Sequence, residues 1–279
     1  MFSPALLLTF VIAAVSASPA PAADPAADLL VSLKTAATQA DRVNLLKDGD
    51  FKFDFINAQA GVTKGAGGRA VAANVKTFPA LIGQGVAMTV GFLEACGMNT
   101  PHTHPRATEI LYSVNGTLTS GTIGENGSRF VNNTLYAGEG TVFPLGSIHF
   151  QANEECKPVT FVSAFNYEDP GTLSAAQRYF GLPPDVVAAS LGLSGVEEVV
   201  GLEHLIPDNI ALGRAECLKR CGLTANVGEQ PTTQRQPRLP GNELPVVSES
   251  ASASSAWTSA TASATSAKWS ASASASTAY

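Results

Sequence analysis

The sequence predicts a mainly β domain, a barrel or sandwich of short strands, followed by helices in the same folded unit. Six segments are short, rich in β-branched and aromatic residues, and separated by turns with Gly or Asn: residues 86–94, 110–114, 117–123, 129–135, 140–143 and 160–165. Asn115-Gly116 and Asn126-Gly127 are typical of hairpin turns. Strands at this spacing are typical of barrels and sandwiches.

The pattern changes after Pro170, where apolar residues recur at helical spacing. Four segments are predicted as helices: residues 173–180, 185–191, 196–205 and 209–220. Prolines at 183, 184 and 207 separate them, because proline cannot continue a helix. We therefore expect a C-terminal helical subdomain attached to the barrel, and residues 46–222 to form one folded domain.

The N-terminus is predicted to be an export signal. Residues 1–17 combine a ten-residue apolar run with small residues before the expected cleavage site. The run is too short to span a bilayer of ~30 Å. A buried N-terminal helix is the alternative interpretation. Residues 18–45 are then a lead-in segment, weakly helical from Asp28 onwards.

The C-terminus is predicted to be unfolded. Residues 223–249 carry four prolines among polar residues, which is typical of an extended linker. In residues 250–279, 26 of 30 residues are Ser, Thr or Ala. Such a tail has too little apolar surface to offset the entropy of ordering it, and in an exported protein it resembles an O-glycosylated stalk.

Charge excludes one class of partner. The formal net charge is −6 and the sequence pI is about 5.2. Because Lys and Arg are also scattered, no basic patch is available to neutralise phosphates, and we expect no nucleic-acid partner.

No later segment is long and apolar enough for a membrane span, so we expect a secreted protein, extracellular or in a cell wall.

Three of the four histidines fall in two short motifs that predict a metal site. His102 and His104 are two residues apart, so their side chains share one face of an extended strand. Glu109 has the wrong parity for an uninterrupted strand, but a bend at Pro105 returns its carboxylate to that face. His149 follows two Gly- and Pro-containing turns in the second motif.

These four side chains form a ligand set for one divalent ion. Three neutral imidazoles and a carboxylate suit Mn, Fe or Zn and leave about two coordination positions open. The alternative for any single histidine is an ordinary hydrogen-bonded core residue, but the complete spacing is far more specific.

The two motifs resemble those of the cupin superfamily. Gly97-x4-His102-x-His104-x4-Glu109-x6-Gly116 is similar to the first cupin motif, and Gly138-x5-Pro144-x-Gly146-x2-His149-x3-Asn153 to the second. Residues 101–110 are similar to germins in particular, and the Ser/Ala tail to the fungal spherulin-like members. The resemblance implies a jelly-roll barrel that binds one Mn²⁺ through His102, His104, Glu109 and His149, and subunits that associate through their C-terminal helices.

The resemblance also implies an activity, with one departure. Germins use such a site to oxidise oxalate or to dismutate superoxide. Oxalate-oxidising germins place two asparagines near the metal. Asn99 matches one of them, and we expect it to orient a ligand, but Thr89 stands at the other position. Because Thr has no amide, this departure weakens the oxalate interpretation without affecting metal binding.

Four cysteines in an exported chain predict disulfides, for which three connectivities exist. Cys96 and Cys156 flank the two metal motifs, so we expect them to face each other on neighbouring strands, with Cys217 and Cys221 as a local pair.

Three glycosylation sequons begin at Asn115, Asn126 and Asn132. Asn115 and Asn126 have an alternative role, which is to form the turns.

Two functions fit the sequence. The first is a secreted Mn-dependent oxidoreductase that acts on superoxide or a small anionic carboxylate. The second is a non-enzymatic extracellular or cell-wall protein, in which the metal stabilises the barrel and the tail provides attachment. Intact ligands favour a bound metal under both hypotheses and do not separate them.

Overall fold

A computed structural model describes residues 25–224, except His204. The predicted signal peptide, the tail and all but the first two residues of the linker lie outside the described residues. The described residues belong to one compact unit. Within them, no helix is both long enough and apolar enough to cross a membrane.

The described residues form strands mainly in the first two thirds of the chain and helices at both ends. The strands are β1 (Val62–Gly65), β2 (Gly68–Ala73), β3 (Ala87–Leu93), β4 (Gly97–Thr103), β5 (Glu109–Ser113), β6 (Thr117–Ile123), β7 (Val131–Tyr136), β8 (Gly140–Phe143), β9 (Ile148–Asn153), β10 (Val159–Phe165), β11 (Leu173–Ser174) and β12 (Ala211–Leu212). The helices are α1 (Pro25–Thr35), α2 (Gln39–Leu45), α3 (Ala175–Tyr179), α4 (Pro184–Leu191), α5 (Val196–Glu203) and α6 (Ala215–Arg220), with 3₁₀ turns at Asp48–Phe51 and Pro79–Leu81.

The strands form two antiparallel sheets of a jelly roll. One has the order β1-β2-β3-β10-β5-β8, and the other has the order β11-β4-β9-β6-β7 with β12 also paired to β4. Their inner faces share one core, whose buried members are Leu93, Leu111, Leu118, Leu135, Phe143, Val159, Phe161 and Ile210. Burial of these side chains is the main stabilising term, at about 1.5–3 kcal/mol each.

Strand β10 shows how the sequence specifies the inward face. Val159, Phe161, Ser163 and Phe165 are buried, and the residues between them are partly exposed. This period of two is typical of a strand with one buried face. Because β10 lies between β3 and β5, its inward row forms the middle of one barrel wall.

The mainly β architecture, the short strands and the C-terminal helices are confirmed. Residues 64–69 span the tight turn of the β1–β2 hairpin, in which Gly65 pairs with Gly68. Cβ atoms at Gly65 and Gly67 would lie 2.1 and 1.7 Å from the carbonyl oxygens of Ile210 and Ala211. These glycines therefore permit close backbone approach, and flexibility is not their role.

The first and last predicted C-terminal helices are shorter than expected. Residues 173–174 and 211–212 pair as short strands with β4, and helices begin only at Ala175 and Ala215. The apolar residues at 210–212 are buried by pairing with the barrel, which outweighs their local helical pattern.

The lead-in is more ordered than predicted, since α1 and α2 span most of residues 25–45.

The expected disulfides Cys96–Cys156 and Cys217–Cys221 are wrong. The bonds are Cys96–Cys217 and Cys156–Cys221. Cys96 and Cys156 do lie close together, since the Cys96 amide donates to Glu155 O at 3.1 Å. However, the i, i+4 spacing of Cys217 and Cys221 points both thiols to one side of α6. The helix covers the first two cysteines and bonds to each of them.

Candidate metal centre

Three strand segments bring four buried side chains that could hold a metal ion to one point between the sheets. His102 lies on β4, His104 directly after it, Glu109 opens β5, and His149 lies on β9. One ligand atom from each side chain lies within 4.8 Å of all the others. His102 and His149 are directly paired residues of β4 and β9, which places their rings side by side.

The bend predicted at Pro105 is present in the structure. Strand β4 ends at Thr103, a turn follows at Pro105-Arg106, and β5 begins at Glu109. Glu109 and Leu111 both point inward, because alternate residues of β5 are buried. The turn thus brings the carboxylate to the same space as the two preceding imidazoles.

Backbone carbonyls fix the tautomer of all three histidines. The Nδ1 atoms of His102, His104 and His149 lie 2.7, 2.5 and 2.9 Å from the carbonyl oxygens of Thr100, Gly171 and Ser147. A carbonyl oxygen only accepts, so each Nδ1 carries the proton. Each Nε2 therefore keeps its lone pair, the form in which imidazole binds a metal.

Glu109 is held from both sides. Its Oε2 lies 3.0 Å from His104 Nε2 and 3.0 Å from His149 Nε2, and its Oε1 accepts a hydrogen bond from Ser163 Oγ at 2.5 Å. Burial by itself raises the pKa of this carboxyl. When His104 and His149 carry a second proton, their hydrogen bonds and charge outweigh it and lower the pKa of Glu109 well below its usual range.

The donor set fits a divalent cation. With every Nδ1 protonated, two Nε2 lone pairs face the Glu109 oxygen at hydrogen-bond distance without a hydrogen between them. Acceptors so placed repel one another unless a positive charge lies among them. A divalent ion satisfies all four ligands at once, which a single proton cannot do.

Burial disfavours protons as that positive charge. Desolvation, followed by the charges of His149 and His104, lowers the pKa of His102 to about 3. His102 is therefore a neutral ligand throughout the physiological pH range.

A cavity of about 360 Å³ opens beside the ligands. Asn99 and Thr89 both line it. The Asn99 amide donates to Gln151 Oε1 at 2.8 Å and accepts from Asn209 Nδ2 at 2.5 Å, which fixes its orientation.

Several residues of the site were missed by the sequence analysis. Ser163, Gln151, Asn209, Gln177 and Arg178 contact a ligand, contact Asn99 or line the cavity. A signal existed only for Ser163, a polar residue in the inward row of a predicted strand.

Arg106 lies two residues after His104 but points away from a role in ligation. Its guanidinium forms a surface ion pair with Asp169 at 2.8 Å.

The sequons lie away from the site, on the surface. Asn115, Asn126 and Asn132 are all exposed. Asn115 also serves its turn, because its Oδ1 accepts from the Thr160 amide at 2.6 Å.

Comparison with known proteins agrees with this geometry. The family model described as Cupin matches residues 55–198. Spherulin-1A of Physarum polycephalum is 50% identical over 206 residues, which cover 74% of this chain and 83% of that protein. Germin-like protein 5-1 of Oryza sativa subsp. japonica is 35% identical over 190 residues, covering 66% of this chain and 85% of that protein.

Among solved structures, one of oxalate oxidase aligns with a TM-score of 0.49 and 29% identity, covering 57% of this chain and 84% of the other. The sequence match to the family model spans the barrel and both metal motifs. The chain therefore belongs to the cupin family, in its germin-like and spherulin-like branch.

Proposed function

We propose that this chain is a secreted manganese-binding cupin and an oxidoreductase of superoxide or a small carboxylate. The observation that carries the proposal is the convergence of three Nδ1-protonated imidazoles and one carboxylate on one buried point beside a cavity. His102, His104, Glu109 and His149 hold the ion. The cavity gives a small anion access to it.

The ligand types and the open cavity beside them favour manganese over a structural zinc ion. Mixed imidazole and carboxylate ligation suits Mn²⁺ or Fe²⁺ as well as Zn²⁺. The polar, partly open cavity leaves room for a substrate beside four protein ligands, whereas a closed structural zinc site has its four ligands and no opening. Bound manganese supplies a one-electron redox couple and a positive charge that attracts anions.

Neighbouring groups of the protein orient the residues that hold the ion. The carbonyl acceptors of Thr100, Gly171 and Ser147 orient the rings, and Ser163 holds the free oxygen of Glu109. Asn99 has one amide hydrogen left after its bond to Gln151, so it is able to donate to a bound anion. Thr89 at the cavity wall is an argument for superoxide, or a carboxylate other than oxalate, as substrate.

A second candidate function is structural. The ligands come from both sheets, since β5 belongs to one and β4 and β9 to the other. A bound ion therefore cross-links the barrel whether or not it reacts. In that case the protein is a non-enzymatic extracellular or cell-wall protein, and the tail of residues 250–279 provides attachment.

One preparation separates the two functions. We expect about one Mn per chain by elemental analysis, and loss of Mn in His104→Ala. Superoxide dismutase and oxalate oxidase assays on the same sample then decide between them. Activity that is lost in His149→Ala supports the enzyme, a loaded but inert protein supports the structural role, and stoichiometric zinc without Mn would overturn the redox proposal.

We also propose that the chain is exported, glycosylated at one or more of the exposed sequons, and homo-oligomeric. Support for an oligomer comes from an apolar stripe on the outer face of the first sheet. Ile110 pairs with Val142 on one side and with Ala164 on the other, and Ala164 pairs with Met88. Ile110, Val142 and Met88 are 62, 54 and 40% exposed. Exposed apolar patches of this kind mark interfaces.

Light scattering tests the oligomer. Val142→Lys places a charge in the stripe and should convert the assembly to monomers. Lys64→Glu on the opposite edge of the same sheet is the matched surface substitution and should leave the mass unchanged. A monomeric native protein would contradict the proposal.

A further inference from the structure

The wall of the cavity carries a guanidinium, that of Arg178, which has no hydrogen-bond or ion-pair partner among the described residues. Arg178 lines the cavity together with His102, His104 and Glu109. No hydrogen bond or ion pair joins its side chain to any residue in the part of the chain that the structure describes. The other arginines there each donate to an acceptor: Arg42, Arg69, Arg106, Arg129, Arg214 and Arg220.

The position of Arg178 follows from the element that carries it. Ser174 pairs with His102 across β11 and β4, and α3 begins at the next residue. Residues four apart share one face of a helix, and Ser174 and Arg178 both line the cavity. The Cα atom of Arg178 therefore lies about 6 Å along the helix axis from that of Ser174, the residue that pairs with His102.

The helix is anchored in this orientation. The Gln177 amide donates to Pro207 O at 2.7 Å, and Gln177 is buried. Gln177 and Arg178 are neighbours, so this bond holds the base of the arginine side chain against the cavity wall. The cavity accordingly has the candidate metal-binding side chains and a guanidinium in its wall, and the helix that carries the guanidinium is anchored.

We propose that Arg178 is the specificity-determining residue of this cavity and selects a dicarboxylate longer than oxalate. This inference rests on the proposed metal site. One carboxylate of such a ligand binds at the metal, and the second accepts hydrogen bonds from Arg178, whose planar guanidinium matches a carboxylate in two-point contact. Oxalate, whose two carboxylates are bonded directly to each other, cannot extend across the cavity as a longer dicarboxylate can.

The rest of the cavity wall is suited to such a ligand. Hydroxyls from Thr63, Thr172 and Ser174 and the amide of Asn209 line the space around Arg178. The volume of about 360 Å³ exceeds the need of superoxide or oxalate and is within the range of small-molecule sites.

The test compares dissociation constants of acetate, oxalate and succinate for the Mn-loaded full chain by calorimetry. In Arg178→Gln, succinate affinity should fall about 10- to 100-fold, the loss typical of a charge-assisted hydrogen-bonded pair, while acetate and oxalate change less than about 3-fold. Arg178→Lys should restore part of the succinate affinity. Arg129→Gln, an exposed arginine outside the cavity, is the matched control and should bind like the native protein.

Metal content and mass, measured on the same samples, keep the outcomes distinct. Equal succinate binding in native protein and Arg178→Gln, both with Mn bound, overturns the role of Arg178 and leaves the metal site standing. An Arg178→Gln protein that loses the same affinity for acetate as for succinate also overturns the role of Arg178. A native protein that takes up no Mn overturns the proposed function. A change of mass in Arg178→Gln without a change in succinate affinity assigns Arg178 to a subunit contact and also overturns the proposal.

Discussion

His104 Nδ1 lies 2.5 Å from the carbonyl oxygen of Gly171, so the segment that follows the barrel holds one of the four ligands. The contact joins positions 67 residues apart in the chain. It makes metal affinity depend on a glycine outside both metal motifs. Such outer contacts typically change metal affinity 10- to 100-fold when they are lost.

Gly171→Ala should therefore weaken metal binding. Gly171 has φ +68°, and a Cβ there would lie 2.8 Å from the Arg106 guanidinium and 3.1 Å from Pro105. The positive φ disfavours a Cβ, and a shift of the peptide that relieves this strain moves the carbonyl away from His104. We expect about 10-fold weaker Mn binding in a chelator competition titration.

The control for Gly171→Ala is Gly192→Ala. Gly192 has φ +69°, so the backbone cost is matched, but a Cβ there meets no atom within 4 Å. This variant should lose stability and keep its metal affinity. Equal weakening in both variants would show that the effect is general destabilisation.

Ser163 and Ser113 offer a second matched comparison. Both are buried on neighbouring strands, but Ser163 Oγ donates to Glu109 Oε1, whereas Ser113 Oγ has no hydrogen-bond partner among the residues placed by the structure. Ser163→Ala leaves a buried carboxylate oxygen without its donor, at a cost of about 1–3 kcal/mol. We expect it to lower both unfolding stability and metal affinity.

Ser113→Ala removes a hydroxyl that is already unsatisfied, so it should be neutral or slightly stabilising. Denaturant titration of the metal-free and Mn-loaded forms of both variants measures the difference. A Ser163→Ala protein as stable as Ser113→Ala in both forms would show that this hydrogen bond contributes nothing to the site.

The metal ligands could be predicted from the sequence because local rules determine them. Strand parity places His102 and His104 together, and a proline turn corrects the parity of Glu109. Ser163 could in part be anticipated, as a polar residue in an inward row. Its contact with Glu109 depends on the register between β10 and β5, which the sequence does not specify.

Residues supplied by the C-terminal segment could not be predicted in the same way. Arg178, Asn209 and Gly171 reach the cavity or a ligand because β11 and β12 pair with β4. These strands are two residues long, too short to carry a periodic signal, and both were hidden in or beside predicted helices. Their position is a property of the packed barrel.

Acid should destabilise the metal-free protein before it affects most carboxylates. His102 has a pKa of about 3 in the folded state against 6.5 as the ordinary value, so between these pH values the unfolded chain binds a proton that the folded chain does not. Stability is then complete above pH 6.5 and falls as pH falls, by up to about 5 kcal/mol at pH 3. The lowered pKa of Glu109 adds a loss of the same sign at lower pH.

Urea titration of chelator-treated protein between pH 8 and pH 4 measures this dependence. In His102→Gln the loss between pH 6.5 and pH 4 should be smaller, because the group that gains the proton is absent. Mn should also be released below about pH 6, as protons compete for the imidazoles. Stability that is flat from pH 7 to pH 4 would contradict the lowered pKa of His102.

The disulfide connectivity makes a prediction that differs from the sequence expectation and is tested by peptide mapping without reduction. Digestion should give one peptide pair that joins Cys96 to Cys217 and another that joins Cys156 to Cys221, with no internal Cys217–Cys221 link. A local Cys217–Cys221 bond would free α6 from the barrel.

The correct pairing also predicts the cost of removal. The bonds close segments with sequence separations of 121 and 65 residues, for which the chain-entropy model gives about 5 and 4 kcal/mol. Because α6 follows β12, and β12 pairs with β4 beside Met98 and Gly97, Cys96→Ala/Cys217→Ala should also loosen the strand that carries His102. We expect this variant to bind Mn more weakly than Cys156→Ala/Cys221→Ala, although both lose stability. Equal metal affinity in the two variants would show that the attachment of α6 to β4 does not affect the positions of the metal-binding side chains.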